Sequence, residues 1–213
     1  MAKIDHHLHT SRHSPDSILD PDDLIEEALR CGLDAVVITE HDYQWTADEL
    51  AKLNRRSKGL LVLSGAEVSA REGHFLVYGL PDLSEAHPGI EVKKLVELVR
   101  RHDAAIVAAH PFRWDQDFRT IAESCCGDFD AIELVSKNVT LQTRAKSESI
   151  LKTYPAMGRT GSSDGHEQDT IGCYYTEFPG AICTISEFVE ALRTRSGQPR
   201  ACAGKFHAAG EIR

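Results

Sequence analysis

Short apolar runs alternate along this chain with stretches of helical periodicity, and clusters of ionisable residues stand where the runs end. Residues 3–7 predict a strand in which alternation sets Asp5, His7 and His9 on one face and His6 and Leu8 on the other. Asp20-Pro21-Asp22-Asp23 then supplies an N-cap, a first-turn proline and the acidic residues that a helix start favours. Leu24, Ile25, Ala28 and Leu29 form its apolar face, and Gly32 ends it. Residues 34–39 read as a buried strand running into Glu40-His41-Asp42. Thr46-Ala47-Asp48-Glu49 fits a capping box, with Leu50 and Leu53 directed to the core.

The rhythm continues. Residues 60–64 predict a third strand that stops at Gly65-Ala66-Glu67, and His74 opens another run over 75–80. Val92, Leu95, Val96 and Val99 have helical spacing, and 104–109 form a strand entering His110-Pro111-Phe112-Arg113. Residues 131–135 predict a strand, 140–152 a helix, and a run around Met157 leads into Gly161-Ser162-Ser163-Asp164-Gly165-His166. Thr184-Ile185-Ser186-Glu187 caps a last helix, and 201–206 is expected to close the chain as a strand. Alternating strands and helices favour an α/β fold with a largely parallel sheet. Polar clusters after five separate runs meet at one mouth in a barrel, whereas an open sheet converges only at its switch point. The expectation is a single-domain, TIM-like barrel.

Composition narrows the function. The 213 residues are 41% hydrophobic and 27% charged, which excludes a disordered or membrane-spanning chain. The start lacks the apolar segment of a signal peptide, so a cytoplasmic location is expected. Six cysteines, at 31, 125, 126, 173, 183 and 202, show no CxxC spacing and read as reduced. A net charge of −9 argues against broad contact with a nucleic-acid backbone.

The run-end residues His7, His9, His41, Glu67, His74, His110, Asp164 and His166, with Asp16 in the loop after the first cluster, form an imidazole and carboxylate set without thiolates. That is ligand chemistry for Zn, Mn or Fe, and nine donors are enough for two or three ions with a carboxylate such as Glu67 bridging a pair. Arg113 is a candidate for phosphate recognition, Lys137 and Asn138 are weaker ones, and Glu133 is expected to support a ligand. His6, His13, His87, His102 and His207 fall outside the pattern.

In order, Asp5-x-His7-x-His9-Thr10, Thr39-Glu40-His41, Gly65-Ala66-Glu67, Gly73-His74, Ala109-His110-Pro111 and Ser163-Asp164-Gly165-His166 resemble the motifs of the polymerase and histidinol phosphatase (PHP) superfamily. The resemblance covers nearly the whole chain and implies one PHP domain over 1–213 with a distorted (β/α)7 barrel. It also implies one metal held by His7, His9, Glu67 and Asp164, a second by Glu67, His74 and His110, and a third by Asp16, His41 and His166. Glu40 stands where the family usually has Asp, at a position that is not a ligand. His13-Ser14-Pro15-Asp16-Ser17 replaces a shorter Ser-Asp-Gly, leaving Asp16 as the third-site ligand with His13 as its competitor.

The function expected from this set is metal-dependent hydrolysis of a phosphate ester by a metal-activated water. The substrate expected is a small phosphorylated metabolite or nucleotide, with trimming of short oligonucleotides as the alternative. A non-catalytic metal-binding PHP module is the alternative of another class, and such modules are expected to have lost ligands.

Overall fold

A computed structural model describes residues 1–202, 204 and 205 of the chain. Its first half runs β1 (Ala2–Asp5), α1 (Pro21–Arg30), β2 (Ala35–Ile38), α2 (Ala47–Asn54), β3 (Leu61–Ser64), β4 (Ala66–Ala70), β5 (Gly73–Tyr78) and α3 (Val92–Arg101). The second half runs β6 (Ala105–Ala108), α4 (Phe118–Ser124), β7 (Ala131–Val135), α5 (Leu141–Thr153), β8 (Gly158–Gly161), β9 (Tyr174–Phe178), α6 (Ile185–Arg193) and β10 (Gln198–Ala201). The caps lie where the residue types place them. Asp20 accepts from the Asp22 amide, and Thr46, Thr140 and Thr184 each close a capping box.

The strands form two five-stranded sheets, in the orders β10-β9-β1-β2-β3 and β4-β5-β6-β7-β8. Alternation within strands divides the core. Ala35 and Val37 of β2 and Ala105 and Val107 of β6 share one cluster between the sheets, joined by Phe188, Val189 and Leu192 of α6. Their neighbours Val36 and Ile38 turn outwards under α1 and α2, while Ile106 and Ala108 turn towards α3 and α4.

The pairing departs from the expected parallel wall. Pairs β1/β2, β2/β3, β6/β7 and β7/β8 are parallel, but β1/β9, β9/β10, β4/β5 and β5/β6 are antiparallel. Only Arg71 and Glu72 separate β4 from β5, too few residues for a crossover, so the chain turns back as a hairpin. Glu67 therefore lies inside a strand, not after one. Among the described residues the two sheets are not closed into one hydrogen-bonded ring. They meet at isolated bridges, Leu8 with Gly165 and His41 with Glu67, and at the Thr176 hydroxyl, which takes the Gly161 amide at 2.9 Å and donates to the Gly161 carbonyl at 2.8 Å. The last strand is Gln198–Ala201, earlier than expected, and Phe206 lies outside the described residues. No helix among the described residues is long and apolar enough to cross a membrane.

Candidate metal centre

The bridges bring the ends of β1 and β2 against β4 and the loop after β8, and the ionisable residues converge there. Asp5 shares the expected face of His7 and His9 but turns to the backbone. Its carboxylate accepts the Ser163 amide at 2.9 Å, the Ser163 hydroxyl at 2.6 Å and the Gly172 amide at 2.9 Å, which fixes the loop carrying Asp164 and His166. Burial pushes the Asp5 carboxyl up to about 6 against those donors. His6 points the other way. It ties the sheets together through the Tyr78 hydroxyl at 2.8 Å and Thr176 Oγ1 at 3.2 Å, and burial lowers it to about 4.

Glu67 is the hub of the cluster. Five imidazole nitrogens surround its carboxylate: His7 Nε2 at 3.5 Å, His9 Nε2 at 3.3 Å, His41 Nδ1 at 2.9 Å, His74 Nδ1 at 3.0 Å and His110 Nε2 at 3.0 Å. Asp164 Oδ1 lies 3.4 Å from His7 Nε2 and 3.6 Å from His9 Nε2. On the outer side, Asp16 Oδ2 sits 3.2 Å from both His41 Nε2 and His166 Nε2. All nine residues singled out in the sequence thus fall in one cluster. His13 does not join it, because its ring stacks on Tyr43 and its Nε2 meets Glu49 at 3.0 Å.

A surrounding layer holds these side chains. Glu133 Oε1 faces His7 Nδ1 at 3.0 Å and its Oε2 accepts the His110 amide at 2.7 Å. Ser14 Oγ lies 3.3 Å from His9 Nδ1 and accepts the His41 amide at 3.3 Å, while donating to Glu40 at 2.5 Å. Glu40 also accepts from the Thr10 amide, the Thr10 hydroxyl and Trp45 Nε1. Nothing in the ligand pattern flags Ser14 or the four donors on Glu40. Their only sequence signal is a carboxylate and hydroxyls beside histidines.

The electrostatics follow from the crowding. Burial alone would raise Glu67, but the imidazoles around it hold it well below the usual carboxylate range. Asp164 is lowered in the same way, with burial overcome by His7 and His110. Burial would lower His7, yet Asp164, Glu133 and Glu67 lift it well above an ordinary histidine; at His9 burial prevails and the ring is shifted down. For His41, burial is overcome by Glu67 and Asp16, which raise it to about 9. The backbone is strained here too. His110, Phe112, Trp114 and Asp164 all have positive φ, a conformation that side-chain-bearing residues avoid and that clusters at functional sites.

The donor set fits divalent cations. His7 Nε2 and His9 Nε2 are buried with no hydrogen-bond partner among the described residues, while the opposite nitrogens of both rings are held by Glu133 and Ser14. Among the described residues, four triads have donor atoms within 4.8 Å of one another: His9-His41-His166, His7-Glu67-His110, His7-His9-Asp164 and His41-Glu67-His74. Hard carboxylates mixed with imidazoles suit Zn, Mn or Fe.

The centre opens into a cavity of about 330 Å³ whose rim includes Arg113, Trp114, Lys137 and Asn138. Arg113 Nη1 reaches Asp164 Oδ2 at 3.4 Å, and Asn138 donates to the same oxygen. Trp114 was not foreseen in the sequence, although it directly follows Arg113. His87 and His102 are exposed and away from the centre, and His207 lies outside the described residues.

A family model for the PHP domain matches residues 5–169, and one for the PHP-associated segment matches 146–196; the chain belongs to the PHP domain family. Uncharacterized protein MJ1587 of Methanocaldococcus jannaschii is 26% identical over 119 residues, which span 52% of this chain and 68% of that protein. Among solved structures, PsfC from Pseudomonas syringae PB-5123 superposes with a TM-score of 0.72 at 21% identity, covering 95% of this chain and 92% of PsfC. A two-domain protein from Bacteroides vulgatus, containing a predicted PHP-like metal-dependent phosphoesterase, also gives 0.72 at 20% identity, covering 94% of this chain and 65% of that one. The fold is that of PHP-like metal-dependent phosphoesterases.

Proposed function

We propose that this protein hydrolyses the phosphate ester of a small phosphorylated metabolite or nucleotide, in the cytoplasm, with two or three divalent ions of Zn, Mn or Fe. The observation that carries the reading is the Glu67 carboxylate among five imidazole nitrogens, two of which, His7 Nε2 and His9 Nε2, are buried without a hydrogen bond among the described residues. On this reading His7, His9, Glu67 and Asp164 hold one ion, Glu67, His74 and His110 a second, and Asp16, His41 and His166 a third. On the same reading the two sheets are taken as the halves of a distorted (β/α)7 barrel with this centre at its mouth.

When bound, the ions would supply Lewis acidity towards phosphoryl oxygens and acidify a water. The protein's own contribution is positioning and charge. Glu133 and Ser14 fix the rings of His7 and His9 so that their Nε2 atoms face inwards. Arg113 offers a planar guanidinium at the rim, suited to a phosphate oxygen, and its loose 3.4 Å contact with Asp164 leaves donors free for it. Lys137, on the same rim, adds positive charge.

Protein purified without chelator, analysed for bound metals and assayed on a model monoester and a model diester with added Mn or Zn, tests the reading. Metal content of roughly two or three per chain with chelator-sensitive turnover is the expected result. Failure to take up metal after reconstitution overturns the assignment of the centre.

A further inference from the structure

Asp164 is held by backbone on both sides. Asp5 takes the Ser163 amide and hydroxyl, the Gly165 amide donates to the His7 carbonyl at 3.2 Å, and the Gly165 carbonyl accepts the His9 amide at 2.9 Å. Between these anchors Asp164 sits at φ 52°, a left-handed conformation that a side-chain-bearing residue adopts at a cost. With the backbone fixed, the remaining freedom is the rotation of the carboxylate.

That rotation gives the two oxygens different surroundings. Oδ1 faces His7 Nε2, His9 Nε2 and His166 Nδ1, at 3.4, 3.6 and 3.7 Å. Oδ2 accepts from Asn138 Nδ2, meets Arg113 Nη1 only at 3.4 Å, and stands 4.0 Å from His110 Nε2. A carboxylate accepts and does not donate, which fixes Nδ2 as the end of the Asn138 side chain that faces it. Asn138 is itself firmly placed. Its amide donates to Ser136 Oγ at 3.3 Å, the Val139 amide donates to the Ser136 carbonyl at 3.2 Å, and Thr140 caps α5 directly afterwards. Ser136 and Val139 are fully buried, so the turn between β7 and α5 is tied to the core on either side of the amide. A carboxylate with one oxygen already accepting a hydrogen bond has the other left for a cation.

We propose that Asn138 is a positioning residue that reserves Oδ2 of Asp164, so that Asp164 gives a bound ion Oδ1 alone and one coordination position stays free for substrate. The proposal rests on the metal-centre reading above. A hydrolytic ion needs a position that the protein does not fill, and a carboxylate closing on it with both oxygens would fill one more. The consequence is opposite to that of an ordinary support. Without Asn138 the ion is held at least as tightly, while turnover falls.

Co(II) is the probe, because its visible absorption weakens as its coordination number rises. Wild type is compared with Asn138→Leu, which keeps the volume and loses the donor, and with Asn138→Ala. The absorption contributed by one bound ion is expected to fall about twofold in both variants. Co(II) affinity, read by competition with a chelator, is expected to stay equal or rise, and kcat on a model monoester to fall roughly tenfold or more. Unchanged absorption per ion in both variants overturns the proposal. So does weakened Co(II) affinity in Asn138→Leu, which is what a purely structural role predicts. The spectrum and the affinity need no turnover, so failure on every ester sinks the phosphoesterase reading and leaves these two measurements to decide the role of Asn138. Wild type that takes up no Co(II) overturns the metal centre and the proposal with it.

Discussion

Glu133 Oε1 lies 3.0 Å from His7 Nδ1, and through that contact a residue at no point of the ligand cluster decides which nitrogen His7 presents to it. The same carboxylate takes the His110 amide on its other oxygen and the Ser162 hydroxyl beside His7. Three donors meet two acceptor oxygens. Glu133→Gln replaces one acceptor by an NH2 group, so at least one donor loses its partner. Metal affinity is expected to fall roughly 10- to 100-fold, read by competition with a chromophoric chelator. Unchanged affinity would show that His7 needs no such anchor.

Glu40 is fully buried and takes four donors: the Thr10 amide at 2.9 Å, the Thr10 hydroxyl at 2.5 Å, the Ser14 hydroxyl at 2.5 Å and Trp45 Nε1 at 2.9 Å. Ser14 in turn touches His9 and the His41 amide, so Glu40 anchors two candidate ligands from behind. Glu40→Gln leaves the buried donors short of an acceptor, and a loss of about 2–4 kcal/mol is expected in denaturant unfolding. Emission from Trp45 should shift with it. A loss below about 0.5 kcal/mol would contradict the anchoring role.

Glu27 offers a pH-dependent case remote from the metal cluster. Hydrogen bonds from Arg30, 2.5 Å and 2.7 Å from its two oxygens, and the ammonium of Lys205 hold its carboxyl down to about 2, from an ordinary 4.5. A folded-state value below the unfolded one stabilises the fold above pH 4.5, and the contribution is lost as pH falls through about 2. Glu27→Gln is therefore expected to destabilise by on the order of 1–2 kcal/mol at pH 7, with the gap from wild type narrowing near pH 3. Urea midpoints at both pH values check the sign. A gap that widens on acidification would reverse it.

Where local chemistry governs, the fold was legible in the sequence. Asp20, Thr46 and Thr184 announce their helices because a cap needs only its own turn, and the nine ligand candidates follow from residue type and position. Pairing direction was not legible. Whether the run after Gly65 ends at Glu67 or doubles back depends on a two-residue turn at Arg71 and Glu72, and Ala66–Ala70 has no period strong enough to declare a strand. Tyr174–Phe178 was missed because its strand is defined by partners far along the chain, β1 and β10. Trp114 carries no periodicity at all, since its place rests on backbone at positive φ that spacing arguments do not see.

Glu67 decides whether the centre is one unit or several. Its two oxygens reach histidines from the end of β1, the end of β2, the start of β5 and the end of β6, so removing its charge should weaken every grouping that shares it. Ligands that bind only the folded state raise its stability in proportion to RT ln(1 + [L]/Kd). For a chain of this size, wild type treated with chelator is expected to melt roughly 5–10 °C lower than when saturated with Zn or Mn. In Glu67→Gln that difference should shrink to about 2 °C or less, with metal content falling to roughly one ion or none. Asp16→Asn provides the contrast. Asp16 is half exposed and its carboxylate meets His41 and His166 on the outer side of the cluster, so its loss should remove one ion and leave most of the chelator-sensitive difference in place. Calorimetric scans of the three proteins, each with and without chelator, separate the cases, and equal losses in both variants would mean that the ions bind as one cooperative cluster.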